Sequence, residues 1–399
     1  MTAELIKKYS KKVKDVQNSL DTISKEQLEK LMALYALMIP LLKENKPIEK
    51  VISSSEGFGD IEIIPDIGKK DPGFYTLVKD ICSKGDYVPD FPEIPKYGFK
   101  DSFVDFALND APDSILLRFL RARKWNVHDA FNMLKKAIIW RGQNRLNELA
   151  WYGELHLNHR LLSSGLGYIS GTERLDNPVL YLRVKNYISD HQTIKETLKY
   201  TVFVMETART FLKPEVEKVG IIIDTRDMGL KNFDMEYFKL FLKFLSDYYP
   251  ESLELVLIYS SSWVFKSIWA LIKNLLDPVV ASKIYFSKDN ADLLHFVDSD
   301  QLLADYGGKS TYKYHYVPPT LEENKLMFEP EKVESSRVAL VQETDHFIEV
   351  SSKWVLPNQH NDKDICAERQ ESVQKMRELG IEYDSRHRAR NFYHRTNAY

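Results

Sequence analysis

Apolar residues recur at helical spacing from the first turns of the chain. Leu5, Tyr9, Val13, Val16 and Leu20 share one face of the stretch 3–20, and Lys7, Lys8, Lys11, Lys12 and Lys14 occupy the remaining surface. Such a cationic amphipathic helix either lies on a membrane or packs on the domain as a solvated surface helix. Ser24 with Gln27 three residues on has the form of a capping box, and the pattern behind it predicts a second helix running through Leu37. Residues 44–100, rich in Pro, Gly, Ser and charge, read as a linker. From Pro112 the patterning sharpens. Asp113 is placed to cap a helix with Ile115, Leu116, Phe119 and Leu120 on one face, and a further helix is expected over 129–145. Beyond Gly165, β-rich runs at 179–184, 219–224, 253–259 and 283–286 alternate with helical patterns at 191–212, 233–248 and 264–276. Strands separated by amphipathic helices predict an α/β domain with a largely parallel or mixed sheet. After Pro318 the periodic signal weakens, and the basic end with Arg386, His387, Arg388, Arg390 and Arg395 reads as a partly ordered tail.

Composition narrows this picture. Hydrophobic residues make up 44% and charged residues 28% of the chain, ordinary for a globular protein and wrong for a disordered or membrane-spanning one. A formal net charge of −3 provides no global field toward nucleic acid, which is not an expected partner. Cys82 and Cys366 lie far apart and form no CxxC pair, which argues for a reducing, cytoplasmic setting and against structural zinc. The longest apolar run, 31–42, is interrupted by Pro40 and reaches about half of a membrane span, so any membrane contact is expected to be peripheral.

Catalytic signatures are absent or false. Gly165, Gly167 and Gly171 are spaced one residue too long for a dinucleotide fingerprint. Gly308, Lys309 and Ser310 imitate the end of a phosphate-binding loop, but Leu303 stands where its first glycine is needed. His156 and His159 read as surface histidines rather than metal ligands. No nucleophile, base and orienting group come together, so the chain is read as a non-enzyme with no metal and no cofactor.

Four motifs occur in order: Leu117-Arg118-Phe119-Leu120-Arg121-Ala122-Arg123-Lys124-Trp125, then Tyr249-Pro250-Glu251, then Leu276-Asp277-Pro278 through Ser282-Lys283, then Tyr306-Gly307-Gly308. Together, over about 112–310, they resemble the CRAL-TRIO lipid-transfer family, in particular its fungal phosphatidylinositol-transfer branch. The resemblance implies an α/β CRAL-TRIO fold, with a helical N-terminal lobe and a mixed or parallel sheet that floors a deep apolar lipid pocket closed by a gate helix. It divides the chain into a helical extension and linker (1–100), a helical lobe (101–150), a lipid-binding domain (151–315) and a C-terminal tail (316–399).

At about 100° per residue, Val264, Phe265, Ile268, Trp269, Leu271, Ile272, Leu275 and Leu276 fall on one arc, with Lys266, Lys273 and Asn274 opposite. An ordinary core-packing helix fits this pattern. The resemblance instead makes the segment the gate, with Phe265, Ile268, Trp269, Ile272 and Leu275 on its apolar side. Ser262 replaces the proline usual before it. A phosphoinositol headgroup needs cations for its phosphate and a carboxylate for its hydroxyls, and Arg123, Lys283 and Glu251 match the family positions that supply them. Val280 stands where a threonine usually bonds the headgroup, a loss of about 0.5 to 1.5 kcal/mol. The positions that hold phosphatidylcholine in exchanging members read Ile169, Leu180, Thr207, Val219 and Ile221. Burying a zwitterion against aliphatic groups costs several kcal/mol, so phosphatidylcholine is an expected poor ligand and a sterol or isoprenoid hydrocarbon an expected second one.

The resemblance thus implies a monomeric, cytoplasmic phosphatidylinositol-binding and transfer protein. It would touch endoplasmic reticulum, Golgi, endosome or lipid droplet membranes transiently and could deliver lipid to a lipid kinase. A lipid-gated regulator acting through a protein partner, without net transport, is the alternative.

Overall fold

The computed structural model describes residues 2–11, 20–51, 88–92, 94, 97–108, 110–212, 216–259, 262–320 and 322–396. The N-terminal helices are α1 (Thr2–Ser10), α2 (Lys25–Glu44), α3 (Phe99–Ala107), α4 (Pro112–Ala122), α5 (Val127–Gln143) and α6 (Leu146–Tyr152). Of the expected 3–20 helix, α1 covers only the start: the helix ends at Ser10, Lys11 is a turn, Leu20 begins a 3-10 turn, and residues 12–19 lie outside the described residues. α2 starts at the capping box: Ser24 Oγ accepts from the Gln27 N–H at 3.2 Å and Gln27 Oε1 accepts from the Ser24 N–H at 2.9 Å. It continues past Leu37 through Pro40 to Asn45, whose left-handed φ of 44° ends it. Most of the expected linker, 52–87, is outside the described residues.

α4 corrects the expectation for Asp113. Ala111 is its N-cap and Pro112 its first residue, a position where proline's missing N–H costs nothing. The Asp113 carboxylate is buried and committed elsewhere, accepting from Tyr35 Oη at 2.6 Å and from two nitrogens of Arg369 at 2.6 and 2.8 Å. α5 begins two residues earlier than expected because Asn126 caps it, accepting from the N–H groups of His128 and Asp129.

The second layer is a five-stranded sheet in the order β1-β2-β3-β4-β5, made by Gly167–Thr172, Pro178–Arg183, Val219–Asp224, Leu253–Tyr259 and Ile284–Ser287. β1 is antiparallel to β2, and β2 to β5 are parallel. Parallel neighbours require crossovers, provided by α7 (Ile194–Thr210), α8 (Met235–Tyr248) and α9 (Trp263–Ile272). The predicted α/β alternation is thus the observed one. β1 was not among the expected strands. Its sequence holds two glycines and no apolar run, and only pairing with β2 makes it a strand. Gly171 within it has φ +64°, and a Cβ there would lie 2.5 Å from the Gln301 carbonyl oxygen, so the close approach of 301 requires glycine.

Register fixes what each face carries. Tyr168, Tyr181, Ile222, Leu257 and Tyr285 align across the sheet and pack into the main core, Tyr181 against Tyr306 with ring centres 5.2 Å apart and Tyr285 against Phe296 at 4.9 Å. Ile169, Leu180, Ile221, Val256 and Ile284 align on the opposite face. The helical lobe joins the sheet domain where Trp140 of α5 stacks on Tyr248 of α8 at 4.3 Å.

The C-terminal region departs most from expectation. In place of a partly ordered tail, α10 (Pro330–Trp354) and α11 (Lys363–His387) form a hairpin packed on α2 and α3, followed by α12 (Phe392–Arg395). The buried positions of α11 are Arg369, Ser372, Met376, Gly380, Tyr383 and His387. Their spacing is helical, but their identities carry almost no hydrophobic signal. Arg369 is 3% exposed, its guanidinium 4.4 to 4.9 Å from the ring centres of Tyr35, Phe347 and Trp354. Gly380 lets α11 approach the end of α3, since a Cβ there would sit 2.5 Å from the Leu108 carbonyl oxygen. The basic residues expected on a loose end are paired: Arg386 with Glu329, Arg388 with Asp384, Arg395 with Glu154 and Glu323. His156 and His159 are half-buried rather than surface residues. His156 stacks on Tyr152, and burial together with Lys199 pushes its pKa down to about 4.

Candidate functional site

Three parallel strands start side by side, so the residues just ahead of them meet at one edge of the sheet. Glu251 follows Pro250 in the turn into β4, and Lys283 ends the short helix Pro278–Ser282 ahead of β5. The strand bonds Val219 N–H to Ser252 O and Val256 N–H to Lys283 O, each 2.9 Å, set this alignment. Lys283 Nζ lies 3.7 Å from Glu251 Oε2 and donates to the Leu253 carbonyl at 2.7 Å. Burial holds its ammonium below the ordinary lysine value, against the pull of Glu251. Glu251 has φ 56°, a left-handed conformation that costs a non-glycine residue free energy and persists where its surroundings impose it. Those surroundings begin at Tyr249, whose hydroxyl donates to Glu206 of α7. Burial would push the Glu206 carboxyl up, but Arg141, bonded to it twice at 2.9 Å, and Arg209 hold it well below the usual range.

Val280 is half-buried, one turn before Lys283, and its carbonyl accepts from the Lys283 N–H at 3.0 Å. Arg123 is the half-buried C-cap of α4, and its side chain has no ion pair among the described residues. α4 is linked to that edge through Glu217, which lies near Arg118, Arg121 and Ser114, and through the following Lys218, which reaches Glu254 Oε2 at 2.9 Å. Glu254, buried at the start of β4, also pairs with Lys8 of α1 at 2.6 Å. Lys8, Lys218 and Glu254 belong to no motif, and Lys8 and Lys218 are 246 and 36 residues from Glu254 in sequence, so only strand pairing and the docking of α1 bring them together.

Behind this edge, Ile169, Leu180 and Ile221 form one row across β1, β2 and β3, and Val219 lies one step nearer the charged edge. In β3, a central strand, Val219, Ile221 and Ile223 are half-exposed while Gly220, Ile222 and Asp224 are buried. Phe203, Val204 and Met205 of α7 and Tyr237, Phe238 and Phe241 of α8 are likewise only partly buried. Apolar groups left incompletely packed on an inner face mark an apolar recess. Thr207 is buried on α7 beside Glu206. Ile169, by contrast, is 2% exposed, because Tyr393 of α12 covers β1: the Ile169 N–H donates to its hydroxyl at 2.7 Å. Nothing in the C-terminal sequence signals that it closes this end of the recess.

α9 lies over the same face. Ser262 caps it, its Oγ accepting from the Phe265 N–H at 3.2 Å. Val264, Phe265, Ile268 and Ile272 are buried against Val256 and Ile258 in a hydrophobic cluster separate from the main core. Trp269 is half-buried against Phe286, ring centres 5.0 Å apart. The helix stops at Ile272, not 276, and Leu275 sits exposed in the 3-10 turn that follows, outside the buried arc. Trp263 (77% exposed), Leu271, Leu275 and Val279 form an outward apolar surface. A helix apolar on both sides, yet at the surface, marks a contact surface. No described helix is long and apolar enough to cross a membrane.

Residues 162–308 match the CRAL/TRIO domain and residues 74–136 the CRAL/TRIO, N-terminal domain. The chain is 33% identical over 267 residues to a CRAL-TRIO domain-containing protein of Schizosaccharomyces pombe, a match covering 65% of this chain and 60% of that protein. It is 30% identical over 299 residues to Phosphatidylinositol transfer protein CSR1 of Eremothecium gossypii, covering 71% of this chain and 67% of that protein. A second CRAL-TRIO domain-containing protein of Schizosaccharomyces pombe is 30% identical over 293 residues, covering 71% of this chain and 81% of its own length.

Proposed function

The chain belongs to the CRAL-TRIO family, and we propose on that premise that it binds phosphatidylinositol and transfers it between membranes. The observation that carries this reading is the half-buried Lys283, 3.7 Å from Glu251, at the edge of a half-exposed aliphatic sheet face. A cation and a carboxylate side by side suit a phosphate and the inositol hydroxyls, and the apolar recess suits acyl chains. Arg123, with no ion pair of its own among the described residues, is the third polar group assigned to the headgroup, and Val280 contributes contact without a hydrogen bond. α9 is the gate. A similar relative named as a phosphatidylinositol transfer protein supports the assignment.

Selectivity follows from the wall. Leu180, Val219 and Ile221 offer no hydrogen bond to a choline phosphate, so from mixed vesicles phosphatidylinositol moves and phosphatidylcholine does not; equal transfer of the two would remove this reading. The same wall admits an apolar second ligand of the sterol or isoprenoid kind. In Lys283→Ala, phosphatidylinositol transfer falls by the equivalent of about 1.5 to 3 kcal/mol, the worth of a hydrogen bond to a charged group, while binding of an uncharged lipid is unchanged. Normal phosphatidylinositol transfer by that variant would show that the lysine is not a headgroup ligand.

Membrane docking uses the outward face of α9. Trp269 is already half-buried, so Trp263 is the tryptophan whose emission shifts to the blue on vesicle addition, in a variant without the other five. Trp263→Ser weakens vesicle association roughly ten-fold or more, from the loss of one large apolar contact. An unchanged partition coefficient would place the docking surface elsewhere.

A further inference from the structure

Lys8 of α1 lies outside both matched domain segments, yet it sits against the charged edge described above. α1 is firmly seated there: Tyr9 is fully buried, its ring edge-on to Phe296 with centres 5.1 Å apart. Seating Tyr9 carries Lys8 to Glu254 Oε1 at 2.6 Å, and Lys218 binds the other oxygen of the same carboxylate at 2.9 Å. Glu254 therefore holds two ammonium groups beside a third, Lys283, whose own partner Glu251 stands off at 3.7 Å. Lys8 and Lys218 both act to lower the Lys283 pKa, which places the three cations within electrostatic reach of one another.

Three ammonium groups crowd one half-buried edge, where Lys8 and Lys218 repel Lys283, and an anion placed among them relieves that repulsion. A phosphodiester carries one negative charge. Resting on the phosphatidylinositol reading of this same site, we propose that α1 is a strap over the headgroup site and that Lys8 and Lys218 join Lys283 as ligands or close electrostatic partners of the lipid phosphate. Glu254 is the positioning residue that keeps both ammonium groups in place before the lipid arrives. The N-terminal extension is then part of the binding site, and phosphatidylinositol retention requires it.

The test uses the full chain and phosphatidylcholine vesicles doped with phosphatidylinositol, with lipid retention and melting temperature measured together. Lys8→Ala and Lys218→Ala each reduce phosphatidylinositol retention by about ten-fold, the loss expected for one charge-assisted contact. Lys8→Arg restores it, and the melting temperature stays near that of the parent because Tyr9 still anchors α1. Inorganic phosphate in excess does not displace the lipid, since it leaves the acyl-chain recess and Glu251 unfilled. Displacement by phosphate would assign the cluster to a free anion and overturn the lipid assignment. If Lys283→Ala loses retention while Lys8→Ala and Lys218→Ala keep it, the strap is wrong and the headgroup site stands. Normal retention in all three variants would remove both. Faster transfer with unchanged or tighter retention in Lys8→Ala would make α1 an inhibitory cover, and would also overturn the proposal.

Discussion

Arg369→Ala lowers the stability of the chain by about 3 to 5 kcal/mol, the cost of leaving a buried charge without its partner. Asp113, 9% exposed, keeps only the Tyr35 hydroxyl, and the ring cage of Tyr35, Phe347 and Trp354 is left around a cavity. Denaturant unfolding followed by circular dichroism measures the loss; a change below about 1 kcal/mol, the range of exposed ion pairs, would show that this pair does not hold the C-terminal hairpin. The pH dependence gives a second signature. In the parent, burial raises the Asp113 pKa but Arg369 outweighs it, and the folded value lies below the ordinary one. A depressed carboxyl contributes stability that is present above the unfolded value, about 3.9, and is lost as pH falls through the folded value. In Arg369→Ala burial is opposed only by the Tyr35 hydroxyl, the folded pKa rises, and the sign reverses. Part of the deficit at neutral pH is then recovered as the pH is lowered toward that raised value. Asp113→Leu combined with Arg369→Met is more stable than either single variant, because no buried charge remains unpaired.

Ile268→Asp undocks α9, the helix proposed as the gate. Ile268 is 5% exposed, and its neighbours form a cluster distinct from the main core. Closure of α9 must then desolvate a carboxylate at a cost of several kcal/mol unless it protonates, in addition to about 1.5 to 3 kcal/mol of lost apolar burial. Because the cluster is separate, the cost falls on the docking of α9. Bound lipid leaves faster, vesicle association rises through the uncovered face, and the melting temperature of the main core changes little. A large drop in melting temperature with normal lipid retention in the surviving folded fraction would make α9 a core helix and not a gate.

The elements legible in the sequence are those whose stability is local. The capping box of Ser24 and Gln27, the amphipathic helix after Pro112 and the alternation of strands and helices from 179 to 286 each depend on neighbours within a few residues, and each is found. Asp113 was misassigned because a carboxylate near a helix start can cap it or pair across the fold, and only the position of Arg369, 256 residues away, decides between the two. β1 escaped because an edge strand with two glycines has no pattern of its own. Arg123, Glu251 and Lys283 are marked by motif, whereas Glu254, Lys218 and Lys8 are not. Their grouping is a product of strand register and of Tyr9 docking on Phe296.

By itself the sequence determined the α/β class, the order of the strands and helices from 179 to 286, and the aliphatic character of Leu180, Val219 and Ile221, since side-chain period and polarity are local properties of the chain. Tertiary structure alone decided three things. It made the C-terminal region a buried helical hairpin, because a stripe of Arg369, Ser372, Gly380, Tyr383 and His387 is stable only against partners that supply a carboxylate, aromatic rings and a carbonyl surface. It split α9 into a face on the sheet and a face toward solvent, so that Trp263 and Leu271 are exposed although their residue types match those buried beneath. It also placed α1 on the charged edge, because attraction between Lys8 and Glu254 depends on their separation in space, which the 246 residues between them do not encode.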